Sequence, residues 1–241
     1  MATSKAKSSL ARAYDDRFYG AKNEGSYASA KLILPLVFAV IKPRSVVDVG
    51  CGTGTWLKAA EELGAADYHG YDGSRPSKLY IPEERFTAAD LAQPLRTGRR
   101  FDLAICCEVA EHLPLDAAEI LVTTVTSLSD VVLFSAAIPG QGGRRHVNEQ
   151  WPAYWQNLFE KQRYSAYDCI RPRIWNERQV DWWYRQNTVL YVADAVAARF
   201  SLPSKTAEVL SLVHPELYEA QRRKRVLKDF VRKAKRAITR T

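Results

Sequence analysis

Residues 46–57 read V-V-D-V-G-C-G-T-G-T-W-L, an apolar run, a glycine-rich turn and the start of a helical run. Val46, Val47 and Val49 make a short buried strand, since a brief apolar run bounded by turn residues has no wet face. Gly50, Gly52 and Gly54 let the backbone turn sharply and approach a ligand with no Cβ in the way, and a helix starts near Thr55. A strand that feeds a helix through such a turn is half of a β-α unit.

The pattern repeats outward from this turn. Tyr68-His69-Gly70-Tyr71-Asp72 is a second strand ending in an acid, Phe86 to Asp90 hold a third strand end, Phe101 to Glu108 a fourth, and Val131 to Ala136 a fifth. This alternation predicts an α/β fold with a doubly wound, mostly parallel sheet.

The glycine turn also suits a dinucleotide. Its spacing, however, is G-x-G-x-G rather than G-x-G-x-x-G, and Asp48 stands beside it. A carboxylate repels a pyrophosphate and attracts a sulfonium and an α-ammonium group, which favours S-adenosylmethionine over NAD or a merely structural turn. Asp72, eighteen residues past Gly54, stands where a ribose diol finds its acceptor. Asp90 and Leu91 are placed for an adenine amino group and face.

With D-V-G-C-G-T-G at 48–54, Y-D-G at 71–73, A-D-L at 89–91 and E-V-A-E-H-L at 108–113, the chain resembles the class I S-adenosylmethionine-dependent methyltransferases over roughly residues 25–195. The resemblance implies a Rossmann-like seven-stranded sheet with helices on both faces and one antiparallel strand near an edge. It also implies a donor site drawn from Tyr27, Asp48, Gly50, Cys51, Gly52, Gly54, Trp56, Asp72, Gly73, Asp90, Leu91 and Glu108.

The acceptor side is expected in the turn after the fourth strand. If Glu108 begins a helical turn, Glu111 and His112 follow at i+3 and i+4 on the same face. This set is similar to the E-x-x-E-H motif of the ubiquinone-pathway O-methyltransferases and the small-RNA 2′-O-methyltransferases, and that similarity implies a divalent metal on Glu108, Glu111 and His112. His146, in the glycine-rich segment 139–151, is the candidate fourth ligand or a catalytic base. By ligand preference the mixed donor set suits Mg²⁺ tolerably and Mn²⁺, Fe²⁺ or Co²⁺ better. The plainer alternatives are a His112 that only orders the loop or acts as a base, and an Asn148 and Glu149 that cap a following helix. Trp151, Trp155, Trp175, Trp182, Trp183 and Tyr184 crowd the second half; most are expected in the core, and a few on an acceptor wall.

The stretches H-V-N-E-Q-W-P-x-Y-W and R-P-R-I-W resemble bacterial and phage methyltransferases, several of which sit among saccharide-modifying enzymes. The expected activity is therefore O-methylation of a saccharide or glycoconjugate hydroxyl with divalent-metal help. The alternatives are a natural-product phenol or amine, an RNA ribose, or a donor-binding scaffold without activity.

The chain has 241 residues and is 46% apolar, enough for one full core. The longest apolar stretch, Leu32 to Ile41, contains Pro35 and falls short of the roughly 20 residues that span a bilayer, so it reads as a core helix. No basic-then-apolar signal pattern stands at the N-terminus, and Cys51, Cys106, Cys107 and Cys169 lack metal-ligand spacing. They read as reduced thiols of a cytoplasmic protein.

Charge is unevenly spread. Residues 216–241 hold ten Lys or Arg and three Asp or Glu, a net of +7, whereas the whole chain is +8, leaving +1 for residues 1–215. Leu227, Phe230, Val231, Ala234 and Ile238 share one helical face, with Arg223, Lys224, Lys228, Arg232 and Lys235 around it. Such a helix packs its stripe on the body, lies on an anionic membrane at the inner face, or binds nucleic acid, the last disfavoured by the near-neutral body. The expected organisation is a methyltransferase domain over 1–205 with an N-terminal helical lid, followed by a basic amphipathic tail over 206–241.

Overall fold

The computed structural model describes residues 24–238. Seven strands form one sheet in the order β3-β2-β1-β4-β5-β7-β6. Strands β1 (Ser45–Val49), β2 (Asp67–Asp72), β3 (Phe86–Ala88), β4 (Leu103–Cys107) and β5 (Val131–Ser135) are parallel. Strand β7 (Val189–Ala193) runs antiparallel between β5 and the edge strand β6 (Tyr164–Tyr167). All of β5 and β7 is buried, as is all but one end residue of β1 and β4. Strands covered on both faces read as continuous apolar runs, which is why β1, β4 and β5 stand out in the sequence.

The helices are α1 (Glu24–Ile41), α2 (Thr55–Glu62), α3 (Ala118–Leu128), α4 (Pro152–Lys161), the short α5 (Arg171–Ile174) and α6 (Trp182–Asn187), and α7 (Pro215–Ile238). Helix α2 packs on β1 and β2, α3 on β4 and β5, and α4 on β6. Helix α1 has the length and apolar content of a membrane span, with a mean hydropathy of 1.4. Nevertheless Ala30, Ile33, Leu34 and Val37 are fully buried in the core, at the spacing of one helix face.

Two boundaries differ from expectation. Phe101 makes only an isolated bridge to Ser129, so β4 begins at Leu103. The chain also does not leave the body at residue 205. Thr206 N–H donates to the Ala166 carbonyl (2.8 Å), Val209 N–H to Gln156 Oε1 (2.8 Å), and Arg171 Nη1 to the Leu210 carbonyl (2.9 Å), while Val209 is fully buried. The body therefore extends into the first turns of α7, where Leu217 is buried. The part of the expected N-terminal lid before Glu24 lies outside the described residues, as do the side chains of Phe230, Ala234 and Ile238.

Candidate active site

The strand order reverses between β1 and β4, so their carboxyl ends open a crevice where sheets of this kind bind ligands. Gly50 and Cys51 N–H both donate to the Tyr71 carbonyl (2.7 and 3.0 Å), tying the turn to the end of β2. The Asp72 carboxylate accepts Gly52 N–H on Oδ2 (2.8 Å) and Ser74 N–H on Oδ1 (3.0 Å). All three glycines have positive φ: +93° at Gly50, +52° at Gly52 and +84° at Gly54.

Their surroundings separate their roles. A Cβ on Gly50 would lie 2.2 Å from Val109 Cγ2 and one on Gly54 2.7 Å from Ile81 Cγ1, whereas one on Gly52 meets nothing within 4 Å. Gly50 and Gly54 are thus packing glycines, and Gly52 faces the open crevice. Tyr80 N–H donates to the Thr53 carbonyl (2.8 Å), fastening the loop after β2 over the turn. Asp48 is buried. Burial pushes its carboxyl well above the ordinary range, and the Asp72 charge adds to the shift. A cation beside this pair relieves that cost.

On the acceptor side, Glu108 follows β4 in a left-handed conformation (φ +55°). The conformation is held from both ends. Its N–H donates to Ser135 O and Oγ (2.9 and 3.1 Å), while its carboxylate accepts Gln141 Nε2 (3.1 Å) and Asn187 Nδ2 (3.0 Å). Gln141 Oε1 accepts from both Gln186 Nε2 (3.1 Å) and Asn187 Nδ2 (3.0 Å), so three buried amides interlock behind Glu108. A non-glycine residue so held at a loop beside a crevice is the arrangement expected where strain serves a site.

Residues Ala110–His112 form one 3₁₀ turn. Val147 and Asn148 N–H donate to the Glu111 carbonyl (2.8 and 3.1 Å), drawing the glycine-rich loop onto this turn. Glu111, His112 and His146 thereby offer donor atoms within 4.8 Å of one another, and the two imidazoles meet edge to face at 4.9 Å. His146 Nδ1 lies 2.8 Å from Glu149 Oε1, and the Glu149 carboxylate also accepts Gly140 and Gly142 N–H (2.8 and 2.7 Å). That bond leaves His146 Nε2 for a ligand.

Glu111 is 1% exposed, and both its carboxyl oxygens are buried without a partner in hydrogen-bonding geometry. Burial first, then the neighbouring Glu108 charge, push its pKa well above the ordinary range. A buried carboxyl with unused lone pairs beside two imidazoles is a donor set that a divalent transition ion fits and compensates.

Several expected residues fall elsewhere. Glu108 is not on one helical turn with Glu111 and His112, because its left-handed backbone turns the carboxylate toward Gln141 and Asn187; it stands outside the three-residue cluster. The Tyr27 hydroxyl donates to Glu62 in the last turn of α2 (2.6 Å), about 10 Å from the glycine turn by helix rise. Its neighbour Ser26 approaches instead, 3.1 Å from Thr55 Oγ1 and 3.3 Å from the Tyr184 hydroxyl. Trp56 is buried and spends its indole N–H on Ser26 Oγ (3.1 Å), so it is a packing residue. Cys51 turns its side chain against Gly70, leaving only its backbone toward the crevice.

Asp90 is exposed and accepts Ala92 N–H (3.0 Å), with Leu91 buried beneath and Gly73 exposed at the end of β2. Asn148 and Glu149 do not cap α4, whose N-cap is Trp151 with no side-chain cap. Of the aromatic group, Trp155 and Tyr184 are core residues, while Trp151 is 41% exposed, close in sequence to His146. The four cysteines are unpaired thiols, and burial raises the pKa of each. Ser26 and Gln141 had no local signal in the sequence, since each acts through a partner distant along the chain.

A family profile described as a methyltransferase domain matches residues 19–187. No curated protein matches the chain. Among solved structures it is similar to the magnesium protoporphyrin IX methyltransferase of Synechocystis PCC 6803 with bound SAH, at 18% identity and TM-score 0.50 over 72% of this chain and 86% of that one. It is also similar to the plantazolicin methyltransferase BpumL in complex with a pentazolic desmethylPZN analogue and SAH, at 16% identity and TM-score 0.50 over 79% and 92%. It spans only 58% of DesVI from Streptomyces venezuelae, covering 53% of its own length at 21% identity and TM-score 0.42. At these identities the likeness is one of fold.

Proposed function

We propose that this chain, which belongs to the methyltransferase-domain family, transfers the methyl of S-adenosylmethionine to a hydroxyl of a saccharide or glycoconjugate, handled at Glu111, His112 and His146. The observation that carries this reading is the orphaned, buried Glu111 carboxyl with two imidazoles in ligand reach. The Val109 side chain that follows Glu108 lies against Gly50, so the donor turn and this cluster adjoin. Asp48 and Asp72 favour the donor's positive charge, the open face of Gly52 admits its backbone approach, and Asp72 keeps lone pairs for its ribose.

An alcohol is a poor nucleophile at neutral pH. A divalent ion held by Glu111, His112 and His146 would lower the hydroxyl's pKa and, with a vicinal diol, fix its direction. With the ion bound, His146 Nε2 is a ligand and the hydroxyl proton leaves to solvent; without an ion the same nitrogen, oriented by Glu149, would be free to take that proton as a general base. As the oxygen–carbon bond forms, the carbon–sulfur bond breaks and its electron pair returns to sulfur, leaving neutral S-adenosylhomocysteine. Trp151 and Val147, exposed on the His146 segment, offer an apolar rim for a sugar face. The near-neutral body, +1 over residues 1–215, disfavours a long polyanionic acceptor.

One competition assay tests the acceptor class. Oligosaccharides, short RNA, phenols and amines are offered together with methyl-labelled donor. Label in the sugar fraction is expected; label on a phenol, amine or ribose of RNA would replace this acceptor with that one, and label on none of them would favour a donor-binding scaffold.

A further inference from the structure

The first turns of α7 belong to the body. Leu217 is buried, Glu216 pairs with Arg185 (2.5 Å), and Gln221 Nε2 donates to the carbonyls of Gly140 (2.8 Å) and Gln141 (3.0 Å). Beyond Gln221 the helix changes character. Every residue from Arg222 to Lys228 is exposed, as are Val231 and Arg232. Val226 is 63% exposed, Leu227 64% and Val231 43%. At about 100° per residue these three lie within one sector of roughly 140°, with Arg223 at the N-terminal end of the same sector, and Lys224, Arg225, Lys228 and Arg232 occupy the adjoining one. The stripe therefore does not pack on the body, although apolar surface of this kind costs free energy in water.

We propose that α7 from Arg222 onward is a docking surface for an anionic membrane, lying in the interface with Val226, Leu227 and Val231 among the acyl chains. Charge complementarity selects this partner: residues 216–241 carry +7 against +1 for the rest of the chain. Nucleic acid would use the cations and leave the apolar stripe wet, and a second copy would bring like charge against like. An anionic bilayer uses both faces at once. Gln221 is bonded to the loop whose Gln141 side chain holds Glu108, and Leu227 lies six residues further, about 9 Å by helix rise. Docking thus holds the mouth of the active site within about a helix diameter of the lipid headgroups. The inference does not rest on the acceptor class.

The test is co-sedimentation of the full chain, loaded with S-adenosylhomocysteine, with vesicles of phosphatidylcholine alone or with roughly a third phosphatidylglycerol. Binding is expected to the anionic vesicles only. It should weaken by about tenfold or more in a Val226→Ser, Leu227→Ser, Val231→Ser variant, and likewise in a Lys224→Gln, Arg225→Gln, Lys228→Gln variant. Calorimetry with S-adenosylhomocysteine should find donor-product binding unchanged in both.

Absence of vesicle binding overturns the proposal. So does salt-sensitive binding that the apolar variant leaves unchanged, the mark of a purely electrostatic arm suited to nucleic acid. Conversion of a dimer to a monomer by the apolar variant would assign the stripe to a second copy, and loss of donor-product binding would assign it to the body.

Discussion

Two alanine substitutions only two residues apart in sequence separate folding from ligand binding. Gly50 has φ +93°, and both its N–H and that of Cys51 are fixed on the Tyr71 carbonyl, so the backbone cannot relax to negative φ without losing them. Gly50→Ala pays about 1–2 kcal/mol for an L-residue at positive φ. It also drives a Cβ to 2.2 Å from Val109 Cγ2 and 2.9 Å from Cγ1, an overpacking of about 1–3 kcal/mol. The expected loss is about 2–5 kcal/mol in urea unfolding. Val109→Ala in the same chain should recover the steric part and leave the conformational part. Gly52→Ala behaves differently: its φ of +52° is ordinary left-handed backbone and its Cβ meets nothing. Stability should fall only by the conformational part, about 1–2 kcal/mol, while affinity for S-adenosylhomocysteine by calorimetry falls about tenfold or more, some 1.4 kcal/mol. Equal stability of Gly50→Ala and wild type, or donor binding untouched by Gly52→Ala, would refute the division of roles.

The Asp48 carboxyl, raised by burial and by Asp72, makes donor binding proton-linked. The bound cation favours its ionised form, so affinity for S-adenosylmethionine should increase as pH rises toward the raised pKa, with proton release read from calorimetry in buffers of different ionisation enthalpy. Without donor the sign for folding is opposite: Asp48 ionises earlier in the unfolded chain, so stability declines as pH rises from about 4. Glu111→Gln keeps the shape of the site and removes a carboxyl whose oxygens have no partner; at neutral pH its metal-free stability should not fall below wild type. Mn²⁺ should raise the thermal midpoint of wild type and not that of Glu111→Gln.

Among the first five strands, β1, β4 and β5 were legible as continuous apolar runs, and β1, β2 and β4 also because they lead directly into glycine or end at an acid at the same sheet edge, while the short β3 was marked only by the acid that follows at Asp90. Strands β6 and β7 were implied only by resemblance, since Tyr164–Tyr167 is a four-residue edge strand and Val189–Ala193 follows α6 without a turn signal. Glu111, His112 and His146 were also visible as residue types in two loops, and the structure brings them together. Glu108 was misplaced because a helical register was assumed across a residue that tertiary bonds hold at φ +55°. Those bonds come from Gln141 and Asn187, 33 and 79 positions away, beyond the reach of any local pattern. For α7 the apolar period was readable, but its exit point from the body was not, because Arg185 and the Gly140–Gln141 carbonyls set it.

The most direct measurement is transfer of labelled methyl to an oligosaccharide bearing a vicinal diol, run for wild type, Glu111→Gln and His146→Ala, each with chelator and with Mn²⁺ restored. Expected is an alkali-stable methyl ether on the sugar that wild type forms, loses with chelator and regains with Mn²⁺. Both variants should fall by about a hundredfold or more while still binding S-adenosylhomocysteine. Undiminished transfer by both variants would contradict the assignment of the acceptor hydroxyl to this cluster. Full wild-type activity in excess chelator would remove the metal from it.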